Sequence, residues 1–474
     1  MDASEVAAPQ PRAVPHVWSL LREGLRGSNR DFTQGHVGHA IIVLAVPMVM
    51  EMSMESLFAV VDVFFVSKLG ADAVATVGLT ESMLAIVYSV AIGLCIGATA
   101  IVARRIGEKD REGAAVAAVQ VLLVGLAVSA VMGVFGGLNA RRLLAMMGAS
   151  DVVLGESARF TVIMLGGNVV IVMIFLINAI FRAAGDAAIA MRVLWIANGI
   201  NMVLDPLLIF GIGPFPELGV VGAAVATTTG RGVAVCIQLT VLLSGRGRVH
   251  VERRHLKVVP AVMWSVCRMS GTGMLQILLS TTAWIGLVRV IASFGSVAMA
   301  GYTIGIRTIL FALLPSYGLS SAAATMVGQG LGAGKPERAE KAVWMAGFYN
   351  LVFLGIVGLM FVTLAPSIVA LYTDDPAIAG HAINCLRIVS CGFVFYAYGM
   401  VLTQSFNGAG DTWTPTWINL ACFWMWEIPL AWFLALRLGF GPPGVYVAVT
   451  IAFSTLAVIS AVLFRRGGWK HKRV

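Results

Sequence analysis

The sequence predicts an all-α integral membrane protein with twelve transmembrane helices in two parallel six-helix repeats. Three observations predict it. Of the 474 residues, 58% are hydrophobic and only 12% charged, where a soluble domain averages about 25% charged; mean hydropathy is +0.88. Apolar blocks long enough to cross a bilayer recur along the chain and leave no soluble domain of useful size. The sequence also repeats itself in a constant register. LGADAVA at 69–75 returns as FGSVAMA at 294–300, GATAIVARRIGEKD at 97–110 as AAATMVGQGLGAGK at 322–335, and FRAAGD at 181–186 as FNGAGD at 406–411. Gly70 and Gly295, Gly107 and Gly332, and Asp186 and Asp411 are each 225 positions apart. Six spans per half is an even number, so both halves insert with the same orientation, about an axis along the membrane normal.

Residues 1–37 read as a polar N-terminal tail without the apolar core of a signal peptide. Within it Val17, Trp18, Leu20, Leu21 and Leu25 alternate with Arg22, Glu23 and Arg26. That is the pattern of a short interfacial helix, or of a tail that frays at its start. Spans are expected at 39–66, 74–103, 114–138, 156–180, 188–211 and 219–243, then at 262–293, 297–328, 339–364, 381–405, 413–436 and 444–464. The first six form an N-lobe over 38–243 and the last six a C-lobe over 262–464. A basic linker, 244–261, joins them, and 465–474 is a basic tail. Pro47, Pro206, Pro315 and Pro429 are the expected bend points.

The net charge is +9, and its Lys and Arg sit at the edges of apolar blocks. They cluster around Arg104–Arg111, Arg246–Lys257, Lys335–Lys341 and the tail Arg465–Arg473, all on one side of the predicted topology. The positive-inside rule then places both termini in the cytoplasm, the chain being multi-pass in a bacterial-type inner membrane. This distribution does not make a nucleic-acid surface. The six cysteines lie inside apolar segments with no C-x-x-C spacing, and the seven histidines lie in loops or near span ends. Neither pattern supports a disulfide, zinc or haem site within the membrane. An intramembrane enzyme would need a nucleophile–base pair or a metal cluster at depth, and no histidine lies there to supply one. No phosphate loop of the G-x-x-x-x-G-K-[ST] form occurs, so an ion gradient is the expected drive and no cofactor is expected.

The stretch from Pro47 to Gly70 carries the chemistry. It spans, yet contains Glu51, Glu55 and Asp62, which spacings of four and seven bring to nearly one side of a helix. Each ionised carboxylate at the bilayer centre costs roughly 2.5–3.5 kcal/mol on insertion scales, so that side faces protein, water or a cation. Asn201 and Asp205 are one turn apart in the fifth span and share a face with Asn198. Two carboxylates with amide and hydroxyl oxygens suit Na⁺, and the same pair without metal suits a shared proton. Other readings stand beside these. Asp205 precedes Pro206 and can bond backbone groups freed at a helix end. Asp62 can be half of a static buried pair with an arginine from another helix. Glu51 and Glu55 can line a substrate vestibule, extend a proton path, or snorkel. Glu81 reads either as vestibule lining or as interfacial. Met48, Met50, Met52, Met54 and Met83 suit an adaptable pocket or plain packing.

Pro47 with VVDVFFVSKLGADAVA, RRIGEKD, FRAAGD, NMVLDPLLIFG, GAAVAT and the repeated FNGAGDT resembles the multidrug and toxic compound extrusion (MATE) family over about 38–465. The resemblance implies a V-shaped twelve-helix antiporter that exports amphipathic or cationic small molecules in exchange for Na⁺ or H⁺, working as a monomer among membrane lipids. It implies an N-lobe cation site of the DinF-like type at Asp62, Asn201, Asp205 and Thr227. The sequence departs from the other branch of the family, which uses acids in the seventh and tenth helices: here Gln276 and Tyr396 stand in those neighbourhoods. Glu427, Arg289 and Arg307 in the C-lobe are read as structural ion pairs. A lipid-linked oligosaccharide flippase of the same architecture is the alternative, less favoured because the first helix is acidic.

Overall fold

The computed structural model describes residues 17–28, 30–151 and 153–472. The tail over 1–16 and Arg473 of the basic tail lie outside the described residues. Everything regular among the described residues is helical. Eleven helices are long and apolar enough to cross a membrane. In order they are Val37–Ser67, Ala71–Gly107, Arg111–Met146, Val153–Ala184, Ala187–Phe210 and Val220–Ser244, then Pro260–Ala292, Ser296–Gly332, Pro336–Val369, Trp413–Arg437 and Pro442–Arg465. A twelfth span comes between the ninth and the last two: Pro376–Ser390 and Phe393–Gly408, bent by 61°. Its break falls at Cys391 and Gly392 rather than at any expected proline. Pro47, Pro206 and Pro315 run inside unbroken helices, as does Pro366. Pro429 follows a π-helical stretch, Leu420–Glu427, in the eleventh span. In a membrane, neighbouring helices and local π adjustments re-satisfy backbone groups that a proline frees.

Helix starts follow local chemistry. Pro260, Pro336, Pro376 and Pro442 open their helices, where a missing N–H costs nothing. Asp110 caps the third span by accepting from the Gly113 N–H at 2.8 Å, and Asp375 accepts from Ala377 N–H at 2.8 Å. The internal repeat is visible in the backbone. Gly70 and Gly295 each precede a helix with φ of 97° and 93°, and Gly185 and Gly410 each end one with φ of 92° and 82°. Gly334 has φ 68°, and its counterpart in the repeat register is Lys109 at φ 61°, the one non-glycine residue with positive φ among the described residues.

Helix Val17–Arg26 packs on the first and fifth spans, burying Leu20 to 2% exposure and leaving Trp18 at 81%. One apolar cluster, with Leu94, Val172 and Ile180 at its centre, is built by the first half together with Val266 and Met269 of the seventh span. Another, around Leu354, Leu386 and Tyr446, belongs to the second. A third joins Ile41, Leu44 and Met48 of the first span to Ala323, Val327 and Phe406. Met48 is therefore core packing, completely buried against the Gly318 backbone.

The close approaches between the halves lie toward the end that carries the described terminal segments and the basic loops. Gly273 meets Gly93 so closely that a Cβ on Gly273 would stand 3.0 Å from Gly93 O. Gly107 lies against Gln329, and Gly332 against Arg104. Small residues allow this approach where lipid offers no hydrophobic drive for association. The chain ends clasp the same seam. Arg248 donates to Ser28 O (2.7 Å) and Arg30 O (2.8 Å). Arg338 donates to Phe32 O (3.0 Å) and Gln34 O (2.6 Å), and Lys335 to Thr33 O (3.0 Å). On the other side Arg104 donates to Lys472 O (2.8 Å), and Lys472 pairs with Asp411 (3.2 Å). Ser28, Arg30, Phe32, Thr33 and Gln34 thus tie the linker to the eighth–ninth turn of the second half.

A left-handed conformation costs a residue with a Cβ about 1–2 kcal/mol, a penalty that glycine escapes. Lys109→Gly is expected to stabilise the protein by about 1 kcal/mol, read as a raised thermal unfolding midpoint in detergent. Gly334→Lys is expected to lower it.

Candidate functional site: a buried polar cluster in the first half

The acids of the first span do not share one environment. Glu51 is 1% exposed and pairs with Arg182, from the last turn of the fourth span, at 2.5 Å. Its second oxygen, Oε2, has no hydrogen-bond partner. Around this pair the halves are closed: Thr325 donates to Arg182 O (3.3 Å) and Gln329 to Ala183 O (2.8 Å). Glu51 is therefore a charge at the seam between the halves.

Glu55 turns the other way. It pairs with Arg231 of the sixth span at 3.5 Å and accepts from Asn198 Nδ2 at 3.4 Å. Arg231 also donates to Tyr88 Oη (3.3 Å) and lies 5.8 Å from the Phe58 ring centroid. Asn198 thus serves Glu55 and leaves the Asn201–Asp205 face to those two residues. Arg231 comes within electrostatic range of Asp62, for which the sequence allows a static arginine partner, yet its ion pair and hydrogen bond go to Glu55 and Tyr88. Arg231 is a site residue that the sequence signals only through its position: an arginine in the middle of an apolar span needs a partner. Tyr88 carries no comparable signal.

Asp205 is fully buried. With the Asn201 amide assigned from its hydrogen-bond network, Asn201 donates to Asp205 Oδ2 (2.9 Å) and accepts from the Thr227 hydroxyl (3.0 Å) and N–H (2.9 Å). The structure therefore brings Asn201, Asp205 and Thr227 together. The chain continues as helix through Asp205 and Pro206 to Phe210, so Asp205 does not terminate it. Asp205 Oδ1 has no partner. Asp62 is half-buried and close enough for the two carboxylates to repel. Glu81 is exposed, within electrostatic range of Asp62 and Arg231 and, from the second half, of Arg307. Arg307 is exposed too. Glu81 and Arg307 are thus within electrostatic range of each other from opposite halves.

The donor set is oxygen-rich and hard: an orphaned carboxylate oxygen, a second carboxylate, an amide and a hydroxyl. No group of three acidic, histidine or cysteine residues able to hold a metal exists among the described residues. The set fits a single positive charge, a proton or a monovalent cation, better than a divalent ion. In the second half the ion pairing expected of Glu427, Arg289 and Arg307 is not formed among the described residues, and Arg307 is within electrostatic range of Glu81 of the first half.

Twelve spans in two halves that meet at one end, with an under-coordinated carboxylate cluster inside one half, define a polytopic membrane transporter. The MatE family profile matches the chain twice, over residues 47–207 and 274–433, once in each half. The chain is 24% identical over 434 residues to "Probable multidrug resistance protein NorM" of Thermotoga maritima, covering 92% of this chain and 93% of that protein. It is 25% identical over 395 residues to "FAD transporter" of Shewanella oneidensis, covering 83% and 87%. Its fold matches that of a MOP superfamily transporter from Pyrococcus furiosus with TM-score 0.87 and 25% identity, covering 95% of this chain and 99% of the other; reverse polarity of that protein's binding pocket is said to suggest a different function. A MATE family multidrug resistance transporter in an outward-facing conformation matches with TM-score 0.86 and 25% identity, covering 97% and 100%. This chain belongs to the MatE family, the multidrug and toxic compound extrusion transporters, and is a transporter rather than an enzyme. The flippase alternative finds no support among these relatives.

Removing one partner of a buried ion pair costs about 3–5 kcal/mol, whereas removing both is close to neutral. Glu51→Gln and Arg182→Gln are each expected to lower the thermal midpoint strongly. The double variant should recover most of that loss, giving a favourable coupling energy in the cycle. Additive losses would show that the pair contributes nothing as a pair.

Proposed function

We propose that this protein is a cation- or proton-coupled antiporter of the inner membrane that exports amphipathic, mainly cationic small molecules as a monomer among lipids. Both termini and the clasped basic end are cytoplasmic, so the halves are closed inward. The coupling site is the N-lobe, DinF-like cluster of Asp62, Asn201, Asp205 and Thr227.

One observation carries this reading. Asp205 is fully buried with an unpartnered carboxylate oxygen, within electrostatic range of a second carboxylate, Asp62. Two close carboxylates in a poorly solvated place cannot both stay bare, so one holds a proton or both hold Na⁺. Coupling follows if that ion and the cargo favour different arrangements of the fifth and sixth spans. Asn201 transmits the change, because it bonds Asp205 on one side and Thr227 of the sixth span on the other. Arg231, four residues beyond Thr227, holds Glu55 at the edge of the cleft. Ion binding at Asp205 is thereby connected to the charge that cargo meets.

The cleft side of this cluster carries Glu55, Asp62 and Glu81 against Arg231, with Arg307 opposite. The excess of acid favours cations, and in a water-poor cavity that preference is only weakly screened.

Asp62→Asn and Asp205→Asn keep size and polarity while removing charge. Each is expected to reduce dye efflux from proteoliposomes at least tenfold, with ΔpH and ΔNa⁺ imposed separately to identify the ion. The double variant should match the singles, since each disables one shared site. Wild-type efflux in either single variant would remove the cluster from the coupling mechanism. Glu55→Gln leaves Arg231 uncompensated at the cleft. It is expected to weaken export of cationic dyes several-fold more than that of neutral ones. Equal loss for both would place Glu55 in the fold or the coupling step.

A further inference from the structure

The short helix Val17–Arg26 lies outside the twelve spans and takes no part in the coupling cluster. Its two sides differ sharply. Leu20 is buried, and Gly24, one turn on, packs so closely that a Cβ there would stand 2.9 Å from Val43 O and 3.4 Å from the Val46 side chain. A residue without a side chain lets the helix lie this near the first span. On the other side Trp18, Arg22, Leu25 and Arg26 are all exposed. Spacings of four, seven and eight residues place these four on one face.

The contacts fix the depth of the helix. Val43 lies in the second turn of the first span, which opens at Val37. Arg192 lies in the second turn of the fifth span, which opens at Ala187, and donates to Leu25 O at 2.9 Å. Two turns of helix rise about 11 Å, so the short helix sits near the basic end of the molecule, at the boundary between polar and apolar layers. One turn deeper, Trp195 donates its indole N–H to Met50 O at 3.2 Å and stays exposed. Tryptophan rings and long basic side chains are favoured at this level.

Charge on the outward face is unbalanced. The helix has one acid, Glu23, and the protein uses it: Arg30 pairs with it at 2.6 Å and Ser28 donates to it at 2.7 Å. Among the described residues no carboxylate pairs with Arg22, Arg26 or Arg192, and Arg192 is exposed as well. Water alone would not favour the exposed tryptophan, and hydrocarbon alone would reject three guanidinium groups. A layer of phosphate anions above acyl chains accepts both. The helix also leads directly into the strap. Gly27, with φ 86°, turns the chain, and Ser28 O and Arg30 O then accept from Arg248, Phe32 O and Gln34 O from Arg338. Whatever holds the helix in place also holds the strap across the clasped end.

We propose that this face docks onto anionic phospholipid headgroups of the leaflet on the basic side, with Arg22, Arg26 and Arg192 on the phosphates and Trp18 and Leu25 at the head of the acyl chains. Such lipids stabilise the clasped end through the strap. The site needs only that the chain spans a membrane and is independent of the Asp62–Asp205 cluster.

The test is titration of the purified chain in neutral detergent with phosphatidylglycerol and with phosphatidylcholine of the same acyl chains, bound lipids being counted by native mass spectrometry. Phosphatidylglycerol is expected to bind about tenfold more tightly. Arg22→Gln/Arg26→Gln changes exposed side chains only, so the fold is kept. It should weaken phosphatidylglycerol about tenfold and leave phosphatidylcholine within about twofold. Arg22→Lys/Arg26→Lys should stay within about threefold of wild type, because charge is kept and only the fork geometry is lost. Trp18→Ala should weaken both lipids by a similar factor, about threefold. Arg141→Gln/Arg142→Gln removes an exposed pair at the far end of the third span and should leave phosphatidylglycerol binding unchanged. Unchanged phosphatidylglycerol binding in Arg22→Gln/Arg26→Gln overturns the proposal, and so does equal weakening in the Arg141→Gln/Arg142→Gln control. Equal loss of both lipids in Arg22→Gln/Arg26→Gln would make the helix a structural or protein-docking element and overturns it too. The unfolding midpoint of the wild type should rise more with phosphatidylglycerol than with phosphatidylcholine. An excess that survives in Arg22→Gln/Arg26→Gln overturns the link to the strap.

Discussion

A charge inside hydrocarbon must find its own partner, and this fold is arranged around four carboxylates that do so to different degrees. Glu51 is paired at 2.5 Å and sealed at the seam. Glu55 is paired loosely, at 3.5 Å, with an arginine that it shares with Tyr88. Asp205 has one oxygen satisfied by Asn201 and one bare. Glu427 has no ion pair among the described residues. The gradation separates structure from function. An acid held in a close ion pair, as Glu51 is by Arg182 even with Oε2 unbonded, fixes geometry, because undoing the pair leaves a bare ion in low dielectric. An acid with no ion pair has capacity left for a proton, a metal ion or a cation, and that capacity is what a transporter uses.

The internal repeat shows how one backbone plan supports two chemistries. Left-handed glycines recur at Gly70 and Gly295 and at Gly185 and Gly410, because turn geometry is set by the chain's path. Side chains facing the interior are free to differ. Arg182 of the first half stands where the second has Asn407, and Glu51 where the second has Gln276. The ion pair of the first half therefore has no echo in the second.

The basic end closes through main-chain carbonyls. Arg248, Lys335 and Arg338 all donate to backbone oxygens of residues 28–35, and Arg104 donates to Lys472 O. Segments outside the twelve spans thus hold the two halves against each other. Such bonds survive sequence change in the strap, because every residue presents a carbonyl. They are also open to water on one side, so they can break without exposing a buried charge.

Sequence alone determined the architecture. Span number, the approximate extent of each span, the parallel repeat and the family resemblance rest on hydropathy, a constant register and short motifs, which are local properties of the chain. It also determined that Asn201 and Asp205 share a face, since helical periodicity needs no tertiary information. Tertiary structure decided the partners. Helical spacing put Glu51, Glu55 and Asp62 on nearly one side, but that side meets the fourth span at one depth and the sixth at another. Glu51 goes to Arg182, Glu55 to Arg231, and Asp62 is left within electrostatic range of Asp205. The bend at Cys391–Gly392 and the ion pairing that Glu427 lacks among the described residues belong with these. Each depends on which helix lies opposite at a given height, and the pattern along one helix carries no record of its neighbour.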